Sequence, residues 1–190
     1  MNVLIVAHPD DEILWFSPMS FDLIVIAFLA RHDKPYAKYC RELAIAEHPL
    51  SEKIILLRLD ESGFWKDNSR VEQYKISRER LYDALSDIKQ QYPITKIFTH
   101  NSKGEYGHDD HILVNEVVTS LFEEIEIFCP VELNQITDED EIICMSNDVD
   151  FYKQVKAVYC KNKAWTWQHD YLPPTELYYS LYVGARNDTR

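Results

Sequence analysis

Three short apolar runs punctuate the first third of the chain: NVLIVA (2–7), FDLIVIAFLA (21–30) and EKIILLRL (52–59). They are rich in Val, Ile and Leu and lack the polar alternation of a half-solvated strand, so they read as strands buried on both faces. Between the second and third, AKYCRELAIAEHPL sets Tyr39, Leu43 and Ala46 at helical spacing and stops at Pro49, which cannot continue a helix. From Arg70 to Tyr92 the apolar positions Val71, Tyr74, Ile76, Leu81, Leu85 and Ile88 follow a period near 3.6, closed by Pro93. KIFTH (96–100) predicts a further strand, NSKGEYGH a glycine-containing loop, and DDHILVNEVVTSLFEE a helix with acids in its first turn. Residues 125–135 and 177–183 are strand candidates, with a helix near 148–160 between them. Alternating strands and helices predict an α/β fold with a mostly parallel sheet, whose ligand site lies at the carboxyl ends of the strands. NKAWTWQHDYLPPTE (162–176) is the one long irregular stretch and a candidate lid.

With 190 residues, 46% of them hydrophobic, the chain has the size of one domain spanning 1–190. Its formal net charge of −12 disfavours partners with phosphate backbones or anionic lipid surfaces. No stretch approaches the roughly 18 uninterrupted apolar residues of a membrane span, and the start MNVLIVAHPDDE has neither a basic leader region nor a small-residue cleavage site. These features predict a soluble, cytoplasmic protein. Cys40, Cys129, Cys144 and Cys160 form no CxxC pair, and the expectation is four reduced, buried thiols.

Two clusters carry chemistry. His8-Pro9-Asp10-Asp11-Glu12 follows the first strand, and Pro9 supports a rigid turn that could aim His8 and Asp11 at one ion with Asp10 beside it. Taken alone, such acids also suit a helix N-terminus. Gly107-His108-Asp109-Asp110-His111 follows the later strand and its loop; His108 and His111, three apart, share a helical face, though two solvated histidines would look the same. Jointly the clusters say more, because both fall at strand carboxyl ends and together offer N and O ligands without a thiolate. Two imidazoles and one carboxylate leave an open position on zinc, as in hydrolytic sites, and the spare carboxylate and imidazole suit a base and an oxyanion or leaving-group donor.

AHPDDE near the N-terminus, THN (99–101) and GEYGHDDH (104–111) resemble the LmbE-like or PIG-L superfamily of zinc-dependent N-acetylglucosaminyl de-N-acetylases over residues 1–115. The remaining part, 116–190, carries only a weak similarity around 156–162. The resemblance implies a Rossmann-like three-layer fold and hydrolysis of an N-acetyl group from a small-molecule sugar or sugar conjugate. It also implies one Zn²⁺, or another divalent transition metal, on His8, Asp11 and His111. Asp10 would be the general base and His108 the catalytic group assisting the oxyanion or leaving amine; Asp110 would orient a histidine from behind.

The chain departs from the family pattern on the substrate side. Ile13-Leu14-Trp15-Phe16 replaces glycines after the first motif, Leu29-Ala30-Arg31-His32 replaces a T-x-G-E segment, Tyr39 stands where an arginine is expected, and Asp109 replaces a proline. Trp15 could wall the pocket, and Trp165 and Trp167 from the late loop could stack on a sugar or cap the core. Loss of the arginine predicts a neutral or amine-bearing substrate recognised through aromatic faces. His100 is read as a hydrogen-bonded structural residue; His32, His48 and His169 belong to no motif. Competing readings are a hydrolase of another amide, a metal-bearing sugar-binding or regulatory protein without turnover, and a phosphoacceptor receiver, which would hold Mg²⁺ through oxygens. A homo-oligomer is compatible with any of them.

Overall fold

The computed structural model describes residues 1–137 and 141–182. Its strands are β1 (Asn2–Val6), β2 (Leu23–Ala30), β3 (Ile54–Asp60), β4 (Lys96–Thr99), β5 (Glu126–Pro130), β6 (Ile142–Ser146) and β7 (Glu176–Leu181). Helices α1 (Asp11–Leu14), α2 (Ala37–Ala46), α3 (Val71–Gln91), the single turn α4 (Gly104–Gly107), α5 (Asp109–Leu121) and α6 (Val149–Lys161) intervene. The strands form one seven-stranded sheet in the order β3-β2-β1-β4-β5-β7-β6. β3 to β5 are mutually parallel, while β7 runs antiparallel to both β5 and β6. The expected α/β architecture with a mostly parallel sheet is therefore present.

Side chains on successive strand positions point to opposite faces, and each face has its own core. Val3, Ile5, Val25 and Ala27 pack on one side against Leu81, Leu85 and Ile88 of α3 and Leu113, Val114 and Val117 of α5. Leu4, Val6, Ile24 and Ile26 pack on the other against Cys40, Ala44 and Ile45 of α2 and Tyr152, Val155 and Tyr159 of α6. Two-sided burial is why β1 and β2 are nearly continuous apolar runs.

The sequence pattern misses β6. It lies at the sheet edge with only partial burial, and its apolar run Ile142–Met145 is short and directly follows the acidic stretch 138–141. The strand expected over 125–135 ends at Pro130, and residue 183 of the other candidate lies outside the described residues. All four cysteines are free, but only Cys40 and Cys129 are buried; Cys144 and Cys160 are exposed because they sit on the edge strand and on the outer face of α6.

The sheet order explains the meeting of two motifs a hundred residues apart. β1 lies between β2 and β4, so the chain leaves β1 and β4 at adjacent carboxyl ends, a topological switch point. The register pairs Val3 with Ile97 and Ile5 with Thr99. His8 and His100 consequently emerge side by side, and the Ala7 N–H donates to His100 Nε2 at 2.9 Å.

Candidate metal centre

The turn after β1 is held by its own side chains. The His8 N–H donates to Asp11 Oδ2 at 2.8 Å, and the Asp10 N–H donates to Glu12 Oε2 at 2.9 Å. Glu12 Oε1 accepts from the Tyr159 hydroxyl at 2.7 Å, tying the turn to α6. Asp10 adopts a left-handed φ of 95°, a conformation that Asp tolerates better than most residues. Asp10, Asp11 and Glu12 are 1%, 3% and 0% exposed, so they do not decorate a solvated helix end.

The segment after β4 is equally constrained. Glu105 has φ 55°, between Gly104 and Gly107 at 66° and 89°, where an L side chain costs about 1–2 kcal/mol. Its carboxylate compensates with contacts: Oε2 lies 2.9 Å from His100 Nδ1 and 2.6 Å from His111 Nδ1, and Oε1 accepts the Asn101 N–H at 3.0 Å. His108 caps α5, its Nδ1 accepting the Asp110 N–H at 3.2 Å.

His8 Nδ1 and His111 Nε2 lie 3.3 and 3.4 Å from the same atom, Asp11 Oδ2. Potential donor atoms group as His8/His108/His111, Asp11/His100/His111 and His8/Glu61/Asp110, and the triad read from the motifs spans the first two groups. Hydrogen bonding separates the candidates. His100 Nε2 already accepts the Ala7 N–H, which leaves that nitrogen no free lone pair. His108 Nδ1 likewise accepts, which puts the proton on Nε2 and makes it a donor. His111 is different: Nδ1 faces Glu105, and Nε2 is buried without a hydrogen-bond partner among the described residues. His8 Nε2 lies 3.4 Å from Asp110 Oδ2, leaving Nδ1 directed at Asp11. Two imidazoles each backed by a carboxylate, with a free nitrogen beside a third carboxylate, fit a divalent cation.

Electrostatics separates the remaining pair. Burial, followed by the Asp11 charge, raises the Asp10 carboxyl to about 7. Asp11 also suffers burial, but His111, His100 and His8 hold it well below the ordinary carboxylate range. Burial and the neighbouring His8 and His111 push His108 down to about 2, so its ring is neutral. Asp110 Oδ1 accepts the Ser62 N–H at 3.1 Å and the Ser62 hydroxyl at 2.5 Å.

A cavity of about 460 Å³ opens on this cluster, lined by His8, Asp10, Asp11 and His108 and walled by Tyr106, Trp165 and Trp167. Trp15 lines an adjoining cavity of about 420 Å³ instead, and packs edge-on against Trp167 at 5.6 Å between ring centres. The late loop also brings Thr166, whose N–H and hydroxyl donate to Asp10 Oδ2 at 3.0 and 2.7 Å. The expected loss of an arginine needs correction. Tyr39 is exposed on α2, whereas Arg41, two residues further, is buried at the cavity wall and donates to Glu61 Oε1 at 2.6 Å. Glu105, Thr166, Ser62 and Arg41 were not legible as site residues. They act across loops, and only the position of Ser62, just past β3, offered a signal.

No family model matches the chain, and no curated protein matches it significantly. Solved structures do. The zinc-inhibited form of teicoplanin deacetylase Orf2 superposes with a TM-score of 0.64 at 11% identity, over 95% of this chain and 97% of that one. The pseudoaglycone deacetylase Dbv21 gives 0.62 at 11% identity over 95% and 96%. A deacetylase–teicoplanin complex gives 0.61 at 12% identity over 95% and 98%. At these identities the likeness is one of fold.

Proposed function

We propose that this chain is a metal-dependent de-N-acetylase of the LmbE-like or PIG-L kind, acting on an N-acetylated amino sugar or its conjugate. The observation that carries the reading is the convergence of His8, Asp11 and His111 on one point beside a cavity that His8, Asp10, Asp11 and His108 line, with the side chains of Asp10 and His108 bonded instead to Thr166 and the Asp110 N–H. The deacetylase neighbours of the same fold support it. His8, Asp11 and His111 would hold the ion, zinc being favoured by two imidazoles and a carboxylate. A divalent ion there supplies a Lewis acid and brings the pKa of water toward about 7.

The chain's own groups then divide the work. Asp10, raised toward neutrality and steadied by Thr166, takes the proton of the attacking water and can return it to the departing amine. His108, neutral with its proton on Nε2, donates a hydrogen bond to the carbonyl oxygen as negative charge develops. Asp110, anchored by Ser62, and Glu105, anchored by Asn101, hold His8 and His111 in the tautomers that keep one nitrogen of each free.

The test is amine release from a panel of N-acetylated sugars by the purified protein titrated with zinc, followed by chelation. Activity that appears with about one equivalent of zinc and disappears with chelator supports the reading; a metal-replete protein that releases no amine from any member overturns it. Zinc is titrated, not added in excess, because one neighbour of this fold was solved as a zinc-inhibited form.

The tryptophans give a separate expectation. Trp165 and Trp167 line the cavity, and both indole N–H groups are buried without partners among the described residues, so a ligand oxygen would relieve an unmet donor. Stacking and these hydrogen bonds are similar in ground and transition states. Trp165→Ala with Trp167→Ala is therefore expected to raise KM about tenfold or more and to leave kcat within a fewfold of the parent. Steady-state kinetics on a variant with parental melting behaviour checks it, and unchanged KM removes the tryptophans from substrate binding.

A further inference from the structure

The cavity over the cluster is unusual for a chain of net charge −12, because five cationic side chains line it: Arg31, Lys34, Arg41, Lys66 and Lys163. They come from separate parts of the fold. Arg31 and Lys34 follow β2, Arg41 lies on α2, Lys66 follows β3, and Lys163 follows α6. The cavity's carboxylates are Asp10, Asp11 and Glu61, and each is already engaged, with Thr166, with His8 and His111, and with Arg41 respectively.

The cations are not equally free. Arg41 is bound by Glu61 and the Leu29 carbonyl, and Arg31 and Lys66 share Asp33. Lys34 and Lys163 make no ion pair or side-chain hydrogen bond among the described residues. Lys163 also occupies a left-handed φ of 57° directly after α6, a position where glycine is the unstrained choice. With the unpartnered Trp165 and Trp167 N–H groups, the uncommitted polar capacity of this wall consists of donors and positive charge. Such a wall complements an acceptor-rich anion, and ammonium groups suit phosphate or carboxylate as point charges.

We infer that the cavity beside the metal cluster takes an acidic amino-sugar conjugate, its phosphate or carboxylate held by Lys34 and Lys163. This rests on the de-N-acetylase reading and replaces the neutral substrate expected from the apparent loss of arginine. Arg31, Lys66 and Arg41 set the positive field behind the two lysines, while Asp33 and Glu61 fix their geometry.

The experiment measures binding by calorimetry and turnover by amine release, on zinc-loaded full-length protein. Glucosamine, glucosamine 1-phosphate, glucosamine 6-phosphate and muramic acid are the binding probes, and their N-acetyl forms are the turnover probes. At low salt at least one acidic probe is expected to bind about tenfold or more tightly than glucosamine, with the advantage shrinking as salt is raised. Lys34→Glu with Lys163→Glu is expected to abolish that advantage while leaving glucosamine binding unchanged. Both side chains are exposed, and Lys34→Gln with Lys163→Gln provides a milder variant if charge reversal impairs folding. Comparison of the phosphate and carboxylate arms identifies which anion is preferred. Equal binding of neutral and acidic probes, or an advantage that survives loss of both lysines, overturns the inference. The two readings fail separately: amine release without acidic preference defeats only the anion site, whereas acidic preference without amine release from any probe defeats the deacetylase reading.

Discussion

His111→Ala protein is expected to lose tight zinc binding, measured by competition with a chromophoric chelator, while retaining its parental circular dichroism spectrum. His111 Nε2 is buried, has no hydrogen-bond partner among the described residues, and stands 3.4 Å from Asp11 Oδ2. A ring held by Glu105 through Nδ1 with its other nitrogen idle and dry is costly unless an ion takes the lone pair. His8→Ala and Asp11→Ala are expected to behave alike, since His8 Nδ1 and His111 Nε2 meet at Asp11 Oδ2. Glu105→Gln separates ligand from support. An amide oxygen can still face both histidines, but the negative charge is lost and the NH2 would meet the Asn101 N–H that Oε1 now accepts; weakening such an outer partner typically lowers metal affinity about 10–100-fold, less than loss of a ligand. His169→Ala is the control, because His169 is exposed and belongs to none of the grouped donor sets, whereas His48 is buried against Glu12. Full zinc affinity in His111→Ala would remove it from the site.

The parts of this site that the sequence made legible are those written in contiguous residues. HPDDE and GHDDH each lie on one turn, each follows an apolar run, and the strand order that unites them follows from a parallel sheet with its switch point at β1 and β4. What stayed hidden depends on distances between loops. Thr166 reaches Asp10 across 156 residues of sequence, and Ser62 reaches Asp110 across 48, with no periodicity to announce either. Glu105 hid for another reason. It stands in a left-handed turn where composition suggests glycine, and its value emerges only from the two histidines it bridges. The arginine was misread because alignment to a motif counts positions along the chain, whereas the cavity selects by helical face, and on α2 that face belongs to Arg41 and not Tyr39.

Asp10→Asn is expected to lower kcat by a factor of about 10² to 10⁴, the scale of a missing general base, with zinc content and melting temperature close to the parent. Two adjacent carboxylates invite confusion of roles, and their surroundings resolve it. Asp11 is encircled by His8, His100 and His111 and is held ionised, as a ligand must be. Asp10 meets no imidazole; it is buried, raised to about 7, and receives only the two Thr166 donors and its own turn's support. A carboxyl balanced near neutrality can both take and return a proton, which an amide cannot do. The amide oxygen of the variant can still accept from Thr166, so the turn and the late loop keep their connection. Thr166→Val supplies the graded comparison: it removes one donor while leaving the carboxylate, and its kcat is expected to fall less than that of Asp10→Asn at unchanged zinc content. If Asp10→Asn turns over like the parent, the base lies elsewhere; if it loses zinc, Asp10 and Asp11 have exchanged the roles assigned to them.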